Sequence, residues 1–122
     1  MSFQPSGARL FAVKIDDYTN GEMKGRIDHI RLPGEKRFLS SFHLLSLIQE
    51  LLDTGNCPGA TPIRSLPALY EAKGKTATFQ LEILFTQSQS WQGKLSWIEE
   101  KREATFRSVL ELLMILDEAL AL

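Results

Sequence analysis

The sequence predicts an α+β fold, a four-stranded, mainly antiparallel sheet with two helices packed on one face, in the order ββα-ββα. Three observations carry this. The chain matches itself at a single ungapped shift, short apolar runs alternate with period two, and each alternating pair is followed by a helical segment that opens on serine. Phe11 falls on Phe79, a shift of 68, and the same shift superposes Ile15 on Ile83, Gly25 on Gly93 and Ile30 on Ile98. Glu35/Glu103, Phe38/Phe106, Ser40/Ser108, Leu44/Leu112, Leu45/Leu113, Glu50/Glu118 and Leu52/Leu120 complete the identities. Two copies are too few for a solenoid, which needs about three to bury a stacked core.

The first strand, Leu10 to Asp16, places Phe11, Val13 and Ile15 on one face. Asn20-Gly21 marks the hairpin, because both residues tolerate positive φ; Asp17, Tyr18 and Thr19 ahead of it point to a loop longer than two residues. The second strand, about Met23 to Arg31, puts Met23, Gly25, Ile27 and His29 inward. Shared by both copies, Gly25 and Gly93 mark a bulge or a close backbone approach under a neighbouring side chain. The first helix, roughly Ser41 to Asp53, carries Leu44, Leu45, Leu47, Ile48, Leu51 and Leu52 on one arc, with Gly55 as its stop. His43 stands where a capping-box Glu would be expected after Ser40.

The second copy repeats the pattern with Phe79, Leu81, Ile83 and Phe85, then a Gln-Ser-Gln-Ser turn, then Trp91, Gly93, Leu95 and Trp97 on the inward face. Ser108 and Glu111 have capping-box spacing. From Val109 to Leu122 the only polar positions are Glu111, Asp117 and Glu118. An arc so apolar needs more cover than one sheet face provides, so helix one or another subunit is expected against it. The repeats span about 8–53 and 76–121 of a single domain covering 1–122. Between them, 54–75 is a Pro- and Gly-rich connector with one helical turn near Pro67 to Ala72. Sequence leaves open whether the hairpins join edge to edge or exchange strands.

The 122 residues balance 14 Lys+Arg against 15 Asp+Glu, so electrostatics gives no reason to expect nucleic acid or an anionic membrane. One cysteine, Cys57, excludes an intramolecular disulfide and fits a reducing, cytoplasmic compartment; no signal peptide or membrane span is expected. No catalytic, metal or cofactor site is expected. The two histidines, His29 and His43, and the one Cys lack zinc-ligand spacing, and no phosphate-binding glycine loop occurs. His29 reads as a structural core histidine and His43 as solvated. Asp16, Asp17 and Asp28 read as a solvated acidic edge, and Lys14, Lys24, Arg26 and Lys94 as part of an outward, charge-mixed face.

The run Ser90-Trp-Gln-Gly-Lys-Leu-Ser-Trp-Ile-Glu, with Phe106-Arg-Ser-Val-Leu-Glu-Leu-Leu and Leu116-Asp-Glu-Ala-Leu after it, resembles a family of small uncharacterised bacterial proteins found mainly in Firmicutes. The resemblance is clearest over residues 79–120, and copy one departs from it in lacking both tryptophans. It implies a bacterial, cytoplasmic origin and brings no activity, cofactor or site residue with it.

The expected function is therefore a non-enzymatic protein-interaction or regulatory module. It self-associates, as a dimer or with a protein partner, through Leu110, Met114, Ile115 and Leu122 of the C-terminal helix. The alternative is a small-ligand or nucleic-acid binder using the groove between the repeats, with Trp91, Gln92, Lys94, Arg26 and Arg107 as its surface. Trp91, beside the turn, is expected to be half exposed. An enzyme ranks third.

Overall fold

The computed structural model describes residues 9–54, 64–85 and 91–121. Strand β1 runs Leu10–Thr19 and β2 Glu22–Asp28. Asn20 and Gly21 adopt positive φ of 55° and 77° between the paired residues Thr19 and Glu22. The turn is therefore two residues long, not longer: Asp17, Tyr18 and Thr19 continue the strand, because a turn with both central φ positive matches the twist of the flanking strands. A short third strand, β3 (Lys36–Phe38), follows, and then helix α1 (Ser41–Thr54). The second half repeats this order in β4 (Ala77–Phe85), β5 (Gln92–Trp97), β6 (Arg102–Phe106) and helix α2 (Val109–Leu120).

The fold is α+β with two helices over one antiparallel sheet, but the sheet has six strands, in the order β3-β2-β1-β4-β5-β6, and not four. The two missed strands are three and five residues long. β3 is too short for alternation to show, and β6, Arg-Glu-Ala-Thr-Phe, offers only Ala104 and Phe106 as apolar positions. The two hairpins meet edge to edge, β1 against β4, with Ala12 directly opposite Gln80.

The shift of 68 reappears in the hydrogen-bonding geometry. The β1–β2 register slips between Ile15 and Asp17, and the β4–β5 register slips between Ile83 and Phe85. Opposite the slips stand Gly25 and Gly93, paired outward with Phe38 and Phe106. A Cβ on Gly25 would lie 1.9 Å from the Lys14 carbonyl oxygen, and one on Gly93 1.8 Å from that of Glu82. Both glycines are thus required by close backbone approach at a bulge.

One face of the sheet carries the core. Phe11, Val13, Ile15, Met23 and Ile27 from half one meet Phe79, Leu81, Ile83 and Leu95 from half two under both helices. Leu44, Ile48 and Leu51 face this core from α1, and Leu112 and Leu116 from α2. Ser40 Oγ accepts from the His43 N–H (3.1 Å), while His43 Nδ1 accepts from the Leu39 N–H (3.3 Å). The imidazole thus reaches back as a capping-box Glu does, but to the N–H one residue before the cap. At α2, Ser108 Oγ accepts from the Glu111 N–H at 3.1 Å. Each half also ties to the other's helix: the Tyr18 hydroxyl donates to Asp117 Oδ1 (3.0 Å), and the Trp91 indole N–H donates to Gln49 Oε1 (3.2 Å).

The connector covers the second face. A 3-10 turn at Pro67–Tyr70 seats Leu69, with Leu66 and Tyr70, over Ala12 and Ile30. The Tyr70 hydroxyl donates to Gln80 Oε1 at 2.8 Å. Gly55, Cys57, the Gln87 to Ser90 turn and Leu122 lie outside the described residues.

The paired glycines give the first test. Gly25→Ala and Gly93→Ala should each lower stability by about 2–3 kcal/mol, because backbone must move to admit the methyl group. Urea unfolding checks this, and similar costs at both positions are expected because both meet the same obstacle.

Candidate functional site

Three surfaces compete as a site, and the first is polar. Alternation sends Lys14, Asp16, Arg26 and Asp28 to the sheet face opposite the helices, where the connector and the loop after β2 close over them. Lys14 and Asp28 are each only 1% exposed. The expected solvated acidic edge is therefore overturned for Asp28, and the solvated reading for Lys14. The Lys14 ammonium lies 3.8 Å from Asp28 Oδ2 and pairs with Glu35 Oε2. Asp28 Oδ1 pairs with the Arg64 guanidinium and accepts the His29 N–H at 2.9 Å. Arg64 in turn donates to the Leu32 carbonyl (2.9 Å), which pins the connector to the loop after β2.

Arg26 holds Asp16 bidentately, both contacts at 3.0 Å, and reaches Glu35 at 2.9 Å and the Lys73 carbonyl at 2.9 Å. Partial burial would raise the Asp16 carboxyl, but Arg26 and the Lys75 N–H outweigh it and hold it below its ordinary range. For Glu35, likewise, burial raises the carboxyl while Lys14 and Arg26 bring it down on balance. Such groups brace structure: cationic partners hold the Asp16 and Glu35 carboxyls ionised, where acid catalysis would need one kept protonated.

His29 is fully buried, its ring 4.8 Å from that of Phe11, and its Nδ1 accepts from the Arg31 N–H at 3.1 Å. It is hydrogen-bonded, as expected, but fully buried where half burial was expected. Among the described residues no group of three His, Cys, Asp or Glu side chains is placed to hold a metal.

The surface assembled from Trp91, Gln92, Lys94, Arg26 and Arg107 does not converge. Trp91 is 5% exposed, not half exposed, and lies on the helix-bearing face in contact with the core. Gln92, Lys94 and Arg26 alternate to the opposite face, with β2 and β5 separated by both central strands. Arg107 sits just ahead of the α2 cap. Lys94 pairs with Glu103 at 2.9 Å, a hydrogen bond that lifts its ammonium above the ordinary value. Lys14, Arg26 and Lys94, three of the four outward cations, thus already hold carboxylates where phosphate binding would need them open.

The helix-bearing face is the surface that stays unpartnered. Leu110 and Met114, one turn apart on α2, are 68% and 57% exposed, and Phe42 on α1 is 78% exposed. Ile115 turns inward and packs against the core, and Leu122 lies outside the described residues. Phe42 escaped the sequence reading, although the shift of 68 sets it on Leu110, its counterpart in α2. Beside Phe42 a groove of about 570 Å³ runs between the halves, walled by Leu45, Ser46, Gln49 and Asp53 of α1 and by Trp91 and Val109.

Removing Lys14 from the buried network should be costly, because Asp28, 1% exposed, is then left with Arg64 alone among the described cations. Lys14→Met is expected to destabilise by about 3–5 kcal/mol in urea unfolding. Asp16 and Glu35 set the acid response. Their folded pKa values lie below the unfolded references of 3.8 and 4.5, so their stabilisation is complete above those references and is lost as pH falls through the folded values. Urea midpoints measured between neutral pH and pH about 2 should fall along this limb. Arg26→Met should flatten it.

Comparison with protein-family models, with curated proteins and with solved structures found no match to this chain.

Proposed function

We propose that the protein is a non-enzymatic interaction module, bacterial and cytoplasmic, that self-associates through the outer face of α2. One observation carries the reading. The helix turns Leu112 and Leu116 to the sheet, yet keeps Leu110 and Met114 one turn apart in solvent. Nothing within a monomer needs two large apolar residues at those positions, and a row of them marks an interaction site. Phe42 on α1 extends the same apolar character to the other half. Across a twofold interface, the exposed parts of Leu110 and Met114 from both copies would contribute roughly 4–8 kcal/mol of burial, before the loss of free motion is subtracted.

The module itself is an internal duplication of one βββα unit. Its support is the shift of 68, which relates the bulges, the glycines opposite them and the two capping serines. The groove between α1 and Val109 favours a second reading, a small-ligand binder at the junction of the repeats.

Size-exclusion chromatography with light scattering tests the leading reading. The wild-type chain is expected to run as a dimer at about 50 μM. Leu110→Glu with Met114→Glu should make it monomeric while leaving the circular dichroism spectrum unchanged, since both side chains already stand in water. A wild-type monomer at that concentration sinks the reading.

A further inference from the structure

Beneath α2, on the side away from Leu110 and Met114, lies a second cavity of about 450 Å³ between the helix and the outer strands β5 and β6. Its walls are Phe79, Leu95 and Trp97 from the sheet, with Ala104, Ile115 and Ala119 completing them. The Phe79 and Trp97 rings lie 5.7 Å apart and tilted by 34°, two aromatic surfaces on one side of the space. Arg102, Glu103 and Glu118 stand at its exposed edge, Glu103 being paired with Lys94. Arg102 has no carboxylate or other side-chain partner among the described residues.

The positions related by the shift of 68 show why the space exists. Ala119 corresponds to Leu51, which is buried in the core of half one. Leu32, also buried there, corresponds to Glu100, which is exposed. His29 packs on Phe11 at the position of Trp97. Half one therefore fills with two leucines the region that half two leaves open beside an alanine. Interiors pack to near-crystalline density, so a gap of this size beside a helix is not the default outcome of folding.

We propose that this cavity is a binding site for a small aryl carboxylate, with the aromatic body between α2 and the Phe79 and Trp97 rings and the carboxylate on Arg102. Size and lining match small-molecule pockets, which are mostly apolar with a few convergent polar groups. A guanidinium at the mouth that pairs with no carboxylate among the described residues selects a planar anionic group. The Trp97 indole N–H is buried with no hydrogen-bond partner among the described residues, so an acceptor that reaches it gains a bond. Glu118 at the same edge disfavours a second negative charge and limits the ligand to a monoanion.

The probe is 1-naphthaleneacetate, titrated into the full chain by calorimetry and followed by Trp97 fluorescence in a Trp91→Phe background. Saturable binding with a change in Trp97 emission is expected. Ala119→Leu, which restores the residue that half one uses, should weaken binding by about tenfold or more while the melting temperature holds or rises. Ala104→Val, from the opposite wall, should weaken it in the same way. Arg102→Ala should weaken the carboxylate by about tenfold and leave the affinity of the neutral 1-naphthaleneacetamide unchanged. Leu110→Glu, on the outer face, should change nothing. The proposal is overturned by an absence of binding at about 1 mM, by affinity indifferent to both filling variants, or by equal losses for acid and amide in Arg102→Ala. Binding lost only in Leu110→Glu would place the probe on the outer face and overturn it as well.

Discussion

The junction of β1 with β4 is the constraint on which everything else rests. Joined there, two three-stranded units become one sheet, and β1 and β4 each lie third from an edge with both faces to be covered. The helices cover one face. On the other, Ala12 and Lys14 alternate outward from β1, and Thr78 and Gln80 from β4. The connector between the halves supplies the missing layer, with Leu69 over the junction and the Tyr70 hydroxyl on Gln80. Because Lys14 is drawn under that layer, it must be matched by Asp28 and Glu35, and Asp28 in turn by Arg64 of the connector. The ion network is a consequence of closing the second face.

Much of this was legible in the residues. Both helices, their serine caps, the inward strand positions, the glycines at the bulges and the turn near Pro67 follow from period, capping and backbone sterics. What escaped shares one physical origin: local pattern does not report which segments lie on top of a strand. Lys14 and Asp28 point outward, as alternation requires, but outward is not solvated once a connector lies there. Trp91, next to a turn, is buried because its indole reaches Gln49 on the helix of the other half. Strands β3 and β6 were missed since β3 is too short for alternation to show and β6 offers only Ala104 and Phe106 as apolar positions, although Phe38 and Phe106 were already related by the shift.

The apolar features of α2 divide by side. Inward, Leu112 and Leu116 belong to the core; outward, Leu110 and Met114 meet water; beneath, Ile115 and Ala119 border a cavity. The sequence showed only the sum of the three, a helix apolar nearly all round. The excess therefore divides among three environments, and only its outward part, Leu110 and Met114, calls for a partner.

The missed strands also govern how this sheet behaves toward others of its kind. An open sheet ends in two rows of unpaired backbone groups, which template further strands and so seed aggregation. Here the ends are β3, three residues long with Lys36 and Arg37 exposed, and β6, five residues long with Arg102 and Glu103 exposed. Brevity and charge blunt both rims. Growth by strand addition is therefore disfavoured at either end, and the chain is protected from runaway polymerisation while its helical side stays open to contact.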